Sequence, residues 1–264
     1  MTSASALRIQ IEHALERRFP SALTPVPRTI RETAATGIAA VDTLLGGGLP
    51  VGAISEVVGQ KSSGRTSLAL SFLAHRTLEG QVAAWVDAGD AFDPESAAAN
   101  GVSLRQLLWI RCHAGSTAIK NKTWTRLDQA IRTRLDQAIR ATDLLLQSGG
   151  FAAIVLDMGN TPPEHASRIP LATWFRFRQA ADRSRCCLVV LGEQAYAQSS
   201  AALVVECAPR QAKTAGETVL TGFCFEVRRE RQRQNVQGIR KPPASTWTVT
   251  CGSAACGWAQ EEHA

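Results

Sequence analysis

The chain has 264 residues, 45% of them hydrophobic and 20% charged, which is enough for one large domain or two small ones around a sizeable core. No apolar run approaches the ~20 residues of a membrane helix. Residues 1–19 carry no apolar block behind basic residues, so no secretory signal is expected and the expected compartment is the cytoplasm. With 29 basic and 23 acidic residues the net charge is +6, which favours a polyanion such as nucleic acid as partner without requiring one.

In chain order, residues 1–32 divide into a short helix and a linker. Leu7, Ile11, Leu15 and Arg18 fall at helical spacing within residues 5–19. Three prolines in "PSALTPVPR" then break the pattern. From residue 33 to 208 strand and helix signals alternate. "AISEVVG", "QVAAWVDAG", "QLLWIRC", "GFAAIVLDMG" and "CCLVVLGEQ" read as five strands, with helices after the first and around 94–100, 122–148 and 167–184. Strands apolar on both faces with helices between them predict an α/β fold, a mainly parallel sheet covered on both sides. Beyond residue 200 the helices stop. "ALVVECA", "TVLTGFCFEVRRE" and "STWTVTC" read as three strands, so residues 209–264 are expected to be an antiparallel β extension with a basic hairpin.

"TRLDQAIR" occurs twice in tandem, at 125–132 and 133–140. A structural repeat unit is usually about 20 residues or more, so this octapeptide reads as a local duplication that lengthens one helix. The seven cysteines show no C-x-x-C, and five of them, Cys112, Cys186, Cys187, Cys207 and Cys224, sit in or beside apolar runs. Buried reduced thiols are the expectation, rather than disulfides or a metal cage.

The chemistry-bearing segment is "GQKSSGRTS". Gly59, Gly64 and Thr66 keep the spacing G-x-x-x-x-G-K-[ST] of a phosphate-binding loop, but Arg65 stands where that pattern has lysine. A strand precedes the loop and a helix follows it. The backbone of Gly59, Ser62, Ser63, Gly64, Arg65, Thr66 and Ser67 is therefore expected to cradle phosphates, with residue 65 as a cation and the Thr66 hydroxyl on Mg²⁺. The plainer alternative is a Gly/Ser-rich turn. Asp157 ends an apolar strand and is the second candidate Mg²⁺ residue, although an aspartate there is often only a cap.

"TGIAAVDTLLGGGLPVGAISEVVGQKSSGRTSLAL" and "AAWVDAGDAFDPESAAANGVSLRQLLWIRC" resemble the opening of the RecA recombinase core. Among RecA-like families the chain looks most similar to the ImuA branch, which is encoded with an error-prone polymerase, through "ALTPVPR", "SSGRTSLAL" and "ATDLLLQSGGF". The resemblance implies a RecA-like P-loop core that binds ATP with Mg²⁺. It aligns Asp93 with an adenine-contacting Asp and Gln194 with a γ-phosphate sensor. It also exposes departures. Arg65 keeps the charge of the family's lysine but not its shape. Gly89 replaces the Glu that orients the attacking water, with Asp90 one residue on as an imperfect substitute, and Ser96 replaces an aromatic residue. The DNA-binding loops shrink to "GNTPPEHASRI" and "AYAQSSA".

Late in the chain Arg228, Arg229, Arg231, Arg233, Arg240 and Lys241 gather against Glu226 and Glu230. They form either a nucleic-acid-facing patch or a solvated, salt-bridged turn. The tryptophans offer stacking surfaces for bases, though core packing is the better reading of Trp85 and Trp109. Two function classes follow. One is an accessory protein of damage-induced mutagenesis, an adaptor between an error-prone polymerase and RecA-type protein or DNA, with little or no hydrolysis. The other is an active DNA-dependent ATPase that forms filaments. Homo-oligomers through the N-terminal helix fit either, and a nucleotide switch outside repair is a third possibility.

Overall fold

The computed structural model describes residues 32–113, 126–159, 161–215, 219–232 and 244–250. The expected helix at 5–19, its linker, Trp124, Trp258, Cys251, Cys256, Arg233, Arg240 and Lys241 lie outside the described residues.

Ten strands and six α-helices are described. A two-residue strand β1 (Thr33–Ala34) pairs antiparallel with β2 (Leu49–Pro50), and helix α1 (Ala39–Leu45) lies between them. The α/β alternation then runs β3 (Ala53–Val58), α2 (Arg65–Leu78), β4 (Ala83–Asp87), α3 (Pro94–Ala99), β5 (Leu107–Arg111), α4 (Arg126–Ser148), β6 (Ala153–Asp157), a short α5 (Pro163–Ala166), α6 (Leu171–Ser184) and β7 (Cys187–Gly192). Three strands close the order: β8 (Ala201–Ala215), β9 (Val219–Gln232) and β10 (Ser245–Thr250).

The last eight strands form one sheet in the order β10-β9-β8-β3-β7-β6-β4-β5. Strands β8, β3, β7, β6, β4 and β5 run parallel, whereas β9 and β10 join antiparallel. Alternation along the central strands explains the two-sided burial. Val57, Trp85, Val155, Val189 and Val205 point into one core with α1 and α2. Ile54, Val86, Ile154, Leu188 and Val190 point into the other, with Leu135 and Leu146 of α4 and Trp174 and Phe177 of α6. The boundary expected at residue 208 falls inside β8, and the C-terminal strands extend the same sheet.

From Arg126 on, the duplicated octapeptide lies in α4, a helix of 23 residues. Leu135 and Ala138 of its second copy are buried, while Ile131 and Ile139 are half-buried. Eight residues of helix leave the copies about 80° apart, so one copy cannot present the same face as the other. The five described cysteines are free, and four of them are buried. Burial pushes the Cys187 and Cys207 thiols up to about 12. Among the described residues no helix is long and apolar enough to cross a membrane.

Candidate functional site

The carboxyl ends of β3, β4, β6 and β7 meet at one edge of the sheet. In open α/β sheets this is where ligands bind, at the point where the strand order changes direction. Residues 59–64 leave β3 there and turn into α2. The turn depends on missing side chains. A Cβ at Gly59 would lie 2.6 Å from Ser63 Oγ and collide with the Cys207 carbonyl of β8. Gly64 has φ of 89°, and a Cβ there would lie 2.6 Å from Cγ of Phe225 on β9. The loop is thus pressed against β8 and β9 on one side, and only glycine fits at both of its anchor points. It opens onto a cavity of about 580 Å³, within the size range of small-molecule sites.

Arg65 begins α2, but its side chain turns back beneath the loop. The residue is only 7% exposed. Nη1 donates to the carbonyls of Gly59 and, at 2.9 Å, Gly192, and Nη2 donates to the Gly159 carbonyl at 3.0 Å. Gly59 and Gly159 follow β3 and β6 and Gly192 ends β7, so one planar fork ties three strand ends together. A compact ammonium could not bridge them in the same way. Gly159 is also needed: a Cβ there would sit 2.8 Å from Arg65 Nη2 and 3.0 Å from Asp157 Oδ1.

Two aspartates stand at neighbouring strand ends in different roles. Asp87 of β4 is fully buried and accepts from the backbone N–H of Gly89, Ala91 and Phe92 at 3.1, 3.1 and 2.8 Å. It therefore folds the turn after β4. Asp157 of β6 accepts from Gly159 N–H at 2.8 Å and lines the cavity. Burial, reinforced by the charge of Asp87, lifts its carboxyl to about 6, against the pull of the Gly159 hydrogen bond and the Arg65 charge.

Part of the cavity wall is aromatic. Phe92 packs between Trp85 and Trp109, with ring centroids 4.8 and 5.3 Å away. Trp85, Phe92, Phe223 and Phe225 all line the cavity. Phe225 stacks on Phe223 at 6.2 Å and packs against Trp247 of β10 at 5.2 Å with the rings tilted by 39°.

Ser62, Ser63, Gly64, Arg65, Thr66, Ser67, Asp93 and Asp157 come together around this one cavity, and Gly59 anchors the loop behind them. Ser63 Oγ is buried without a partner in the described structure. Asp93 caps α3, accepting from Glu95 N–H at 3.2 Å and Ser96 N–H at 3.1 Å. Its hydrogen bond from the Ser96 hydroxyl, with help from these amides, holds its carboxyl below the usual range. Asp90 and Gln194 are not among the lining residues. Asp90 forms a bidentate pair with Arg111 of β5 at 2.8 and 3.1 Å, and Gln194 is exposed after β7.

The late basic residues do not form one free patch among those described. Arg228 pairs with Glu226 at 2.7 Å, Arg229 donates to the Leu44 carbonyl at 3.4 Å, and Arg231 donates to the Gln198 carbonyl. A register shift opposite Val204 and Val205 separates Arg229 from Arg231.

Sequence reading missed the two phenylalanines of β9 and Glu56 in β3. The signal for the first was present: in "GFCFEV" a period of two places Phe223 and Phe225 on one face. Glu56 is almost fully buried, and its Oε1 accepts from Tyr196 and Ala197 N–H at 2.6 and 2.8 Å. Burial raises its carboxyl despite those bonds. Nothing in the pattern "AISEVVG" marks its partners, which lie 140 residues away.

The arrangement can hold an anion on the loop N–H groups at the start of α2. Two oxygen donors, Thr66 and Asp157, stand beside it. This donor set fits Mg²⁺, which keeps several waters and binds through one or two carboxylates plus phosphate. Among the described residues no group of three or more His, Cys, Asp or Glu forms a metal cage.

Comparison with known proteins agrees with this architecture. The RecA N-terminal domain matches residues 9–132. Protein RecA of a Nostoc species is 38% identical over 124 residues, covering 47% of this chain and 33% of that protein. Protein RecA of a Synechocystis species is 32% identical over 194 residues, covering 72% of this chain and 52% of that protein. The chain thus spans about a third to a half of the length of these relatives. The crystal structure of the RadB recombinase superposes with a TM-score of 0.54 at 18% identity, covering 83% of this chain and 96% of that one, and shows the shared fold. The sheet order, the loop between β3 and α2, and these likenesses together make the chain similar to the RecA-like recombinase superfamily.

Proposed function

We propose that this chain is an ImuA-type accessory protein of DNA repair and damage-induced mutagenesis. On this reading it binds ATP with Mg²⁺ in the loop cavity, hydrolyses it slowly or not at all, and acts as an adaptor or regulator. Its partners would be an error-prone polymerase, a RecA-type protein or DNA. The observation that carries the reading is the use made of Arg65. The position that supplies a phosphate-facing cation in G-x-x-x-x-G-K-[ST] loops here ties three strand ends together.

The loop N–H groups would hold the phosphates, and Thr66 and Asp157 the metal, whose chemistry is to neutralise phosphate charge. No carboxylate aligns with the missing Glu: residue 89 is Gly, Asp87 is committed to its turn, and Asp90 is paired with Arg111. Losing a positioned base and the phosphate-facing cation of position 65 removes two of the contributions that phosphoryl transfer needs, although Lys61 of the loop still lines the cavity.

Calorimetry with Mg·ATP tests the binding half. Wild type is expected to bind at micromolar level and the Thr66→Ala, Asp157→Ala double variant not to bind. Absence of binding by the wild type would refute nucleotide use. Damage-induced mutation frequency in a deletion strain tests the role, and an unchanged frequency would refute it.

A second reading, an active DNA-dependent ATPase, is favoured by Thr66 and Asp157 facing one cavity. It requires phosphate release stimulated by single-stranded DNA and abolished by Asp157→Ala.

A further inference from the structure

We infer that Phe223 of β9 is a stacking platform for a nucleobase, so that the cavity takes an intact nucleotide in preference to a bare phosphate chain. The inference rests on the nucleotide reading above and adds which part of the ligand the C-terminal strands recognise.

A single exposed apolar side chain is ordinary on a protein surface. The setting of Phe223 is not. The residue is 40% exposed and borders the same cavity as Ser62–Ser67 and Asp157. Its inner neighbour Phe225 lies 6.2 Å away with the ring planes 26° apart. Phe225 is fixed from two further sides, by Trp247 at 5.2 Å and by the backbone of Gly64. Phe223 is therefore the open end of an anchored aromatic stack that begins against the phosphate loop. Its cross-strand neighbours, Ala212 on β8 and Val249 on β10, bring no further aromatic ring to the stack. A planar base leaving the loop along this wall would extend the stack by one ring. Stacking of this kind tolerates any base, because every base presents a π face.

The geometry separates two parts of one ligand. The loop and Thr66 take the phosphates, and Phe223 takes the base. Truncating Phe223 should therefore weaken binding of ATP but not of inorganic triphosphate.

The test is calorimetry with Mg²⁺, titrating ATP and inorganic triphosphate into wild type, Phe223→Ala and Phe223→Tyr. Wild type should prefer ATP by about tenfold or more, the size of one base–aromatic stack. Phe223→Ala should bring ATP down to the affinity of triphosphate while leaving triphosphate unchanged, and Phe223→Tyr should restore the preference. Near-ultraviolet circular dichroism confirms that each variant keeps its fold. ATP binding undiminished in Phe223→Ala would overturn the platform and leave the nucleotide reading standing. Equal weakening of both ligands would reduce Phe223 to a structural role and overturn it as well. If neither ligand binds the wild type, the nucleotide reading falls and the platform with it.

Discussion

Replacing Arg65 by lysine, the residue usual in loops of this spacing, should weaken this protein rather than repair it. The guanidinium makes hydrogen bonds to three backbone carbonyls, those of Gly59, Gly159 and Gly192. Hydrogen bonds to a charged group contribute about 1.5–3 kcal/mol each, and a buried acceptor left without a donor costs about 1–3 kcal/mol. An ammonium has one nitrogen where Arg65 uses two, so it can satisfy one or two of these carbonyls. At least one charge-assisted bond is lost, and the expected destabilisation of Arg65→Lys is about 3 kcal/mol. In a chain of this size that lowers Tm by roughly 6–12 °C. Urea unfolding followed by circular dichroism measures it directly as a lower midpoint at unchanged slope. Arg65→Met, which keeps bulk but no donor, should fall further. A lysine variant within about 0.5 kcal/mol of wild type would refute the idea that Arg65 holds the strand ends together.

The remaining expectations are narrower. Burial lifts Asp157 from 3.8 to about 6, so its carboxyl binds a proton more tightly in the native state than in the unfolded chain. Its contribution to stability is complete below pH ~4 and is lost as pH rises through about 6, a cost of about 3 kcal/mol at neutral pH. Asp157→Asn should therefore be more stable than wild type at pH 7.5 and lose that slope between pH 4 and 7, as read by urea midpoints at several pH values. Glu56→Ala strands the buried N–H groups of Tyr196 and Ala197 and should cost about 2–4 kcal/mol. Glu56→Gln, which keeps the acceptor, should stay within about 1 kcal/mol of wild type, and equal losses in the two variants would contradict the assigned bonds. Gly64→Ala drives a methyl into Phe225 at an unfavourable φ and should destabilise by about 2 kcal/mol. A double-mutant cycle with Phe225→Ala should show coupling of about 1 kcal/mol, and additivity would refute the contact.

Much of the architecture was legible along the chain. The five runs of β3 to β7 are apolar on both faces, and the segments between them follow helical periodicity, so a covered parallel sheet was the only burial scheme available to them. The loop announced itself through Gly59, Gly64 and Thr66, because a phosphate nest needs small residues at fixed spacing followed by a helix start. Asp157 was found as a polar residue closing an apolar strand. The short helix α1 and the two-residue strands β1 and β2 were not foreseen. A two-residue strand holds a single alternation and α1 is two turns long without an N-cap side chain, so neither period nor cap marks them.

The sequence by itself determined the order of elements, the position of the loop and the departure at Arg65. Each of these is a local property, set by side-chain period, glycine spacing or a single residue type. Only the tertiary structure decided what those residues do. Arg65 meets carbonyls from residues 59, 159 and 192, Glu56 meets amides 140 residues on, and Phe225 covers Gly64 from the far end of the chain. Such partners are chosen by strand order, and strand order places β8 beside β3 although some 140 residues separate them in sequence. No spacing rule within a segment encodes that neighbourhood, because it arises from burying both faces of the whole sheet at once.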